Sequence, residues 1–364
     1  MRLIIAGGGT GGHVYPGIAI AQEFMKRNAK NELLFIGSTK GMEGALVPKS
    51  GFRLKTVRIM KMKGTSILNR ILAVMVLVRA LIESLLIILR FRPHVIIGVG
   101  GYSSAPAVIG GWLIRIPRMV AEQNIIPGWT NRMLSRMVNH IFVSHEASLD
   151  YFKPQHKVIV SGNPLRAEFL NIAKVSDQFV MDRVRIVVTG GSQGAKPVNH
   201  AFIESLSLLV DLKSKFTIVH QTGTLDYEYC KEAYQRLPFE VEVQPYFERF
   251  WEVLRTATVI VSRSGSNIWE FLALRKPCIL IPYPYAADNH QEANARIFEK
   301  MGCAKMVLEP TLTPERLAFL IRGFVEDRST LQQFYRNFSD LPPLNGAEII
   351  VNTIYQYQPI GQSI

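Results

Sequence analysis

Short apolar runs alternate with longer amphipathic stretches along most of this chain. Leu3–Ala6, Leu33–Ile36, Val95–Val99, Arg118–Ala121 and His140–Val143 are too short for helices and are apolar nearly throughout. Each predicts a strand covered on both faces, the usual condition of a parallel sheet. The stretches between them carry apolar residues at helical spacing, the first running from Pro16 to Lys26. The pattern breaks near Asn163-Pro164-Leu165-Arg166 and restarts at Arg185–Thr189. Further runs follow at Phe216–His220, Val241–Gln244, Val259–Ser262 and Cys278–Pro282. Strands alternating with helices predict an α/β fold built as two similar halves, residues 1–163 and 164–344, with a closing helix at about 345–364.

One stretch departs from this rhythm. Between Arg53 and Arg92 the basic residues Lys55, Arg58, Lys61, Lys63 and Arg70 precede a nearly unbroken apolar run, Ile71–Val78. Arg79 and Glu83, four residues apart, argue against a bilayer span and are spaced to pair on one helix face. Leu85–Leu89 is expected to pack on a sheet. From Ile67 to Val78 the apolar residues cover more of the helix than one buried stripe needs. An apolar patch ringed by Lys and Arg, residues 55–79, predicts contact with an anionic membrane surface.

The strand exits carry the chemistry. Gly7-Gly8-Gly9-Thr10-Gly11-Gly12-His13 joins the first strand to the first helix. Such a loop brings backbone N–H groups and a helix N-terminus towards phosphate oxygens. It is not the G-x-G-x-x-G dinucleotide fingerprint, and it adds a hydroxyl at Thr10 and an imidazole at His13. Gly190-Gly191-Ser192-Gln193-Gly194-Ala195 repeats the arrangement in the second half. Gly98–Pro106 is a third glycine-rich exit, and Glu122-Gln123-Asn124 sets a carboxylate and two amides at a fourth. Glu122 has three readings, a helix cap, a surface charge or a base. In the second half, the small residues Ser264-Gly265-Ser266 let backbone approach a ligand, Glu270 suits a ribose diol, and Asp288–Asn294 suits sugar hydroxyls. Loops of this kind gather ligands at the C-terminal ends of parallel strands, in a cleft between the two halves.

Composition narrows the classes. At 364 residues, 48% of them hydrophobic, the chain suits two globular domains. The net charge of +13 calls for an anionic partner. No zinc-finger spacing, aromatic RNA-binding motif or dense basic helix points to nucleic acid, which leaves anionic lipid and phosphorylated substrate. Residues 3–6 are too short an apolar core for a cleavable signal. Cys230, Cys278 and Cys303 form neither a disulfide framework nor a metal pair and read as buried, inert thiols in a reducing cytosol. The residues at 288–292 match no metal-binding spacing, so neither metal nor cofactor is expected.

Taken together, the motifs resemble the MurG family of N-acetylglucosamine transferases. They are G-G-T-G-G-H-x-x-P (Gly8 to Pro16), G-G-Y-x-S-x-P (Gly100 to Pro106), E-Q-N (Glu122 to Asn124), G-N-P-x-R (Gly162 to Arg166), G-G-S-Q-G-A (Gly190 to Ala195), R-S-G (Arg263 to Gly265) with Glu270, and D-x-x-Q-x-x-N-A (Asp288 to Ala295), in family order along almost the whole chain. The resemblance implies a GT-B fold of two Rossmann-like domains, with the closing helix packed on the first. The first domain would bind the acceptor and the membrane, the second UDP-N-acetylglucosamine. It implies inverting transfer of the sugar to the C4 hydroxyl of lipid I, giving lipid II, at the cytoplasmic face of the bacterial membrane, where other cell-wall enzymes are possible partners. By motif position, Ser192 and Arg166 would meet the donor diphosphate, Glu270 the ribose, Gln291 and Asn124 the N-acetylglucosamine, and Phe247 the uracil. Thr10, Gly11 and Gly12 would border the sugar and the acceptor diphosphate. Two departures stand out: the stretch from Arg263 to Glu270 is one residue shorter than the family's spacing, and Ala121 stands where many members carry His before E-Q-N.

The transfer needs a base for the acceptor hydroxyl and stabilisation of the departing diphosphate. His13 is the first candidate base, since imidazole titrates near neutrality, its alternative role being to hold the loop by a hydrogen bond; Glu122 is the second candidate base. Two alternatives remain open at this point: a GT-B transferase acting on another lipid such as diacylglycerol, and a non-catalytic UDP-sugar-binding scaffold. A UDP-sugar epimerase would not account for the apolar–basic patch.

Overall fold

The computed structural model describes residues 1–59, 67–174, 183–191, 193–338 and 344–358, with 67–74 and 172–174 as backbone only. The chain divides into two compact units, Met1–Ala167 with Pro343–Ile364, and Glu168–Pro342.

The first unit is built on a seven-stranded parallel sheet: β1 (Arg2–Ala6), β2 (Glu32–Ser38), β3 (Leu54–Val57), β4 (Val95–Gly98), β5 (Arg118–Glu122), β6 (His140–Val143) and β7 (Val158–Val160). Their spatial order is β3-β2-β1-β4-β5-β6-β7. The strand β1 lies between β2 and β4, with Leu3 opposite both Leu33 and Val95. Its side chains alternate between two buried clusters: Leu3 and Ile5 on one face, Ile4 and Ala6 on the other. That double coverage is why the run is continuously apolar.

The second unit repeats the plan with six parallel strands: β8 (Val184–Thr189), β9 (Phe216–Gln221), β10 (Val241–Gln244), β11 (Val259–Ser262), β12 (Cys278–Leu280) and β13 (Ala304–Met306). They are ordered β10-β9-β8-β11-β12-β13. In both sheets the order reverses beside the first strand of the unit, and the loops that leave strands at such a reversal are where open α/β sheets bind ligands. The glycine-rich exits of β1 and β4 meet at the first reversal, and the exits of β8 and β11 leave the second.

Every strand expected from an apolar run forms, within two residues at each end. Missing from the sequence reading were β3, β7 and β13, all of them sheet edges. An edge strand is covered less completely, so its sequence is mixed: Lys55 and Thr56 of β3 are exposed while Val57 is buried. The first helix, α1 (Gly11–Arg27), starts five residues earlier than expected, and Pro16 lies inside it. Burial of Val14, Ile18 and Phe24 against the sheet offsets the helix hydrogen bond that Pro16 removes.

Two more helices bear on the site. A short one, α2 (Glu43–Lys49), follows β2, and a long one, α3 (Ile67–Phe91), precedes β4. The Arg79–Glu83 pair forms as expected, with Nε 2.8 Å from Oε1. The second half of α3 is not the fully packed helix its sequence suggested. Ala80, Ser84 and Ile88 are buried, but Leu86 is 63% and Leu89 57% exposed. With Met75, Leu77, Val78 and Ile82 they extend an exposed apolar stripe to the helix end. The next helix, α4 (Ala105–Leu113), packs beside α3 and covers only its inner side. Lys61 and Lys63 of the expected patch lie outside the described residues. Among the described residues, no helix is long and apolar enough to cross a membrane.

The closing helix, Gly346–Tyr355, packs against α1 and contributes Ile350, Val351 and Ile354 to the core of the first unit. The hydroxyl of its last residue, Tyr355, accepts a hydrogen bond from Asn31 Nδ2 at 2.8 Å. All three cysteines are buried free thiols, as expected. Burial pushes Cys230 and Cys303 up to about 12 and Cys278 upward as well, so none is a ready thiolate.

Candidate active site

In the first unit the loop after β1 gives most of its N–H groups to the protein itself. Gly7 donates to Ile36 O, Gly8 to Gly100 O at 3.4 Å, and Gly9 to Glu43 Oε2 at 2.7 Å. Three N–H groups of the expected phosphate cradle are therefore committed within the protein, and Thr10 precedes the first turn of α1. Thr10 is exposed, and Gly11, Gly12 and His13 are half-buried.

Sequence reasoning missed Glu43. Its carboxylate is buried and also accepts hydrogen bonds from Ser38 N and Ser38 Oγ, each at 2.7 Å. Gly8, Gly37 and Gly41 converge on it, and a Cβ on any of them would overlap the carboxylate. A carboxylate under the loop sets the position of Gly9 and, through it, the start of α1. The signal in the sequence was a Glu at the start of a helix, which usually means only a favourable dipole contact.

Glu122 ends β5 and is also buried. Its Oε1 accepts from Gln123 N (3.1 Å), Asn124 N (3.0 Å) and Asn124 Nδ2 (3.2 Å). Its Oε2 accepts from Gly128 N (3.0 Å) and Asn131 Nδ2 (2.9 Å). Five donors on one carboxylate tie down residues 122–128. Glu122 is thus not the surface charge that was one of its readings. Asn124 is half-buried on that loop.

His13 faces Gln123, with Nδ1 3.0 Å from the amide oxygen, Oε1. The ring also lies against Gly100, where an added Cβ would sit 2.6 Å from Nδ1. The loops after β1, β4 and β5 thus meet at one imidazole. Arg166 belongs to this unit too, its guanidinium carbon 4.0 Å from the centroid of the Tyr15 ring on α1.

The second unit brings Phe247, Ser266, Glu270 and Gln291 to the exits of its own strands; Ser192 lies outside the described residues. Gln221, at the end of β9 and buried, links two of these exits. Its amide donates to Thr189 Oγ1 and Gly191 O, each at 3.3 Å, and its oxygen accepts from Phe247 N at 3.0 Å. Ser266 and Glu270 flank the start of the helix Ile268–Ala273. The oxygen of the Gln291 side chain accepts from Tyr283 N at 3.0 Å, and the Gln291 carbonyl accepts from Ser264 Oγ at 2.8 Å. Just before Gln291, Asp288 and Asn289 both adopt left-handed backbone, a strained entry to a helix of a kind found at functional sites. Arg263 does not reach outward: it donates to Ile281 O and Pro282 O and pairs with Glu309.

Beneath the second glycine loop, a Cβ on Gly194 would overlap the carbonyl of Thr222, so loop and strand end touch through backbone. Asn199 holds that contact, donating to Thr222 O (2.9 Å), with its own oxygen 3.0 Å from His220 Nε2. Burial pushes His220 down to about 3, so this imidazole is neutral and structural. Among the described residues, no three His, Cys, Asp or Glu side chains converge as a metal set.

This architecture has known counterparts. The glycosyltransferase family 28 N-terminal domain matches residues 3–143, and its C-terminal domain residues 185–342. The chain is 40% identical, over 98% of its length and 99% of the relative's, to the UDP-N-acetylglucosamine–N-acetylmuramyl-(pentapeptide) pyrophosphoryl-undecaprenol N-acetylglucosamine transferase of Geotalea uraniireducens. It is 41% identical to the protein of the same name from Syntrophus aciditrophicus, over 97% and 98% of the two chains. The crystal structure of Acinetobacter baumannii MurG superposes with a TM-score of 0.77 at 23% identity, covering 98% of this chain and 99% of that one. The UDP-GlcNAc 2-epimerase from Neisseria meningitidis, bound to UDP-GlcNAc, shares the fold at a TM-score of 0.67 and 16% identity, over 98% of this chain and all of that one. The fold, GT-B, is thus common to transferases and epimerases and does not choose between them, whereas the near-full-length relatives do. The chain belongs to glycosyltransferase family 28 and, within it, to the MurG family.

Proposed function

We propose that this protein transfers N-acetylglucosamine from UDP-N-acetylglucosamine to the C4 hydroxyl of undecaprenyl-diphospho-N-acetylmuramoyl-pentapeptide, lipid I, to give lipid II for peptidoglycan. The observation that carries this reading is the end-to-end kinship, 40% identity over 98% of the chain, with transferases named for that reaction. In this reading the second unit holds the donor. Glu270 takes the ribose, Phe247 lies by the uracil, and Gln291 reaches the sugar, with Ser266 in the adjoining loop. The loop Gly190–Ala195 and the N-terminus of the helix Lys196–Ser205 face the diphosphate, together with Ser192. The first unit holds the acceptor at Thr10, Gly11 and Gly12; by motif position Asn124 is assigned to the N-acetylglucosamine and Arg166 to the donor diphosphate.

Chemically, the acceptor oxygen attacks C1 of the sugar while the bond from C1 to the UDP oxygen breaks, inverting the anomeric centre. The acceptor proton passes to His13. Charge developing on the departing diphosphate is met by N–H dipoles already in position. Glu122 holds the loop that faces His13. The expected result with purified protein, labelled UDP-N-acetylglucosamine and a lipid I analogue is a disaccharide-lipid and free UDP. UDP-sugar binding without that product would favour the scaffold, and a glycosylated diacylglycerol would favour the other lipid transferase.

We further infer that the protein works on the cytoplasmic face of the bacterial membrane, held peripherally by α3. Its exposed stripe is apolar over several turns, and lone surface apolar residues do not make such stripes. Changing Ile82 and Leu86 to Glu is expected to abolish co-sedimentation with phosphatidylglycerol vesicles while leaving turnover of a water-soluble acceptor analogue intact. Unchanged sedimentation would remove α3 as the anchor.

A further inference from the structure

Gln123 is completely buried, and both ends of its amide are engaged. Its Nε2 donates to Ala121 O at 3.0 Å, and its Oε1 lies 3.0 Å from His13 Nδ1. The carbonyl of Ala121 can only accept, and it takes a second hydrogen bond from Asn131 Nδ2 at 3.2 Å. The NH2 end of Gln123 must therefore face Ala121, which leaves its oxygen towards the imidazole. An amide oxygen can only accept as well, so the proton of that contact sits on His13 Nδ1.

We infer that Gln123 is a positioning residue that fixes neutral His13 as its Nδ1–H tautomer, leaving the Nε2 lone pair to take the acceptor proton. Three features of the fold support the arrangement. Glu122 Oε1 accepts from Gln123 N at 3.1 Å and anchors the residue's backbone. Gly100 has no side chain, and a Cβ there would collide with the imidazole, 2.6 Å from Nδ1. Among the described residues, His13 Nε2 makes no hydrogen bond, while the ring is half-buried at the mouth of the site. Once Nε2 has taken the proton, Nδ1–H still points at the neutral amide oxygen of Gln123. This deepens the reading of His13 as base and rests on it.

The test is 15N NMR of full-length protein labelled at histidine, with the His13 signals assigned by their loss in His13→Asn. The expected wild-type spectrum at neutral pH has a pyrrole-type Nδ1 and a pyridine-type Nε2. In Gln123→Met, similar in length but without an acceptor oxygen, His13 reverts to the Nε2–H form that neutral imidazole favours in water. There kcat falls about 10²-fold with the KM for UDP-N-acetylglucosamine unchanged. Gln123→Glu, which keeps an acceptor, retains the Nδ1–H signal. An Nε2–H wild type, or a Gln123→Met enzyme that keeps both the Nδ1–H signal and wild-type kcat, overturns the inference. If Gln123→Met does not fold, the wild-type spectrum alone decides it. If His13→Ala retains full turnover while the wild type shows Nδ1–H, the base assignment falls and the tautomer assignment stands.

Discussion

Replacing His13 with alanine is expected to lower kcat by about 10²–10⁴-fold, the range for loss of a general base. Affinity for UDP-N-acetylglucosamine should hardly change, because in the proposed reading His13 serves the acceptor and most donor contacts come from the second unit. His13 stands at the start of α1, where the exits of β1, β4 and β5 come together. An acceptor hydroxyl is a poor nucleophile until its proton begins to leave, so losing the proton acceptor raises the chemical barrier rather than weakening binding. Steady-state kinetics with a lipid I analogue, beside calorimetric titration of the donor, separates the two effects. Near-normal turnover would remove His13 as the base. The same substitution leaves the buried Gln123 oxygen without its donor, at a stability cost of about 1–3 kcal/mol. Kinetics should therefore be measured well below the melting temperature of the variant.

Glu43→Ala is the second large effect, and it concerns stability. The substitution strips the acceptor from Gly9 N, Ser38 N and Ser38 Oγ together and opens a void where Gly8, Gly37 and Gly41 converge. Leaving buried donors unpaired costs about 1–3 kcal/mol each, so a total loss of about 3–5 kcal/mol is expected after partial hydration of the void. Glu43→Gln should cost less. Its amide oxygen can still serve Ser38, but its NH2 then faces the Gly9 N–H, and only that bond is lost. Urea denaturation of the three proteins gives the ranking directly. A Glu43→Ala protein within about 0.5 kcal/mol of wild type, the range of an ordinary surface change, would mean that the carboxylate does not hold the loop.

Much of the site was legible in the sequence because its chemistry is local. A glycine cluster between a strand and a helix announces close backbone approach wherever it occurs, and Gly7–His13 and the described residues of Gly190–Ala195 each link a strand to a helix. The Arg79–Glu83 pair was equally local, fixed by one turn of helix. Non-local contacts were not legible. Glu43 reads as a surface charge until β1 and β2 are laid side by side and three glycines clear a space for it. Gln123 reads as one polar residue in a loop until β4 and β5 bring it to His13, 110 residues away in the chain. The five donors around Glu122 were equally invisible, because they come from a loop whose path only the fold sets. The outer half of α3 was misjudged for a similar reason: which face of an apolar helix is covered depends on the neighbour, and α4 reaches only one side.

The sequence by itself determined the two α/β halves, the positions of the phosphate-type loops and the family, through apolar periodicity and ordered motifs whose meaning lies within a few residues. Only the tertiary structure decided which N–H groups of the first loop are already committed, which donors surround Glu43 and Glu122, and which side chain faces His13. The physical reason is that a hydrogen bond has direction and a buried group must find its partner. Those partners come from strands far apart in the chain and adjacent only in the sheet.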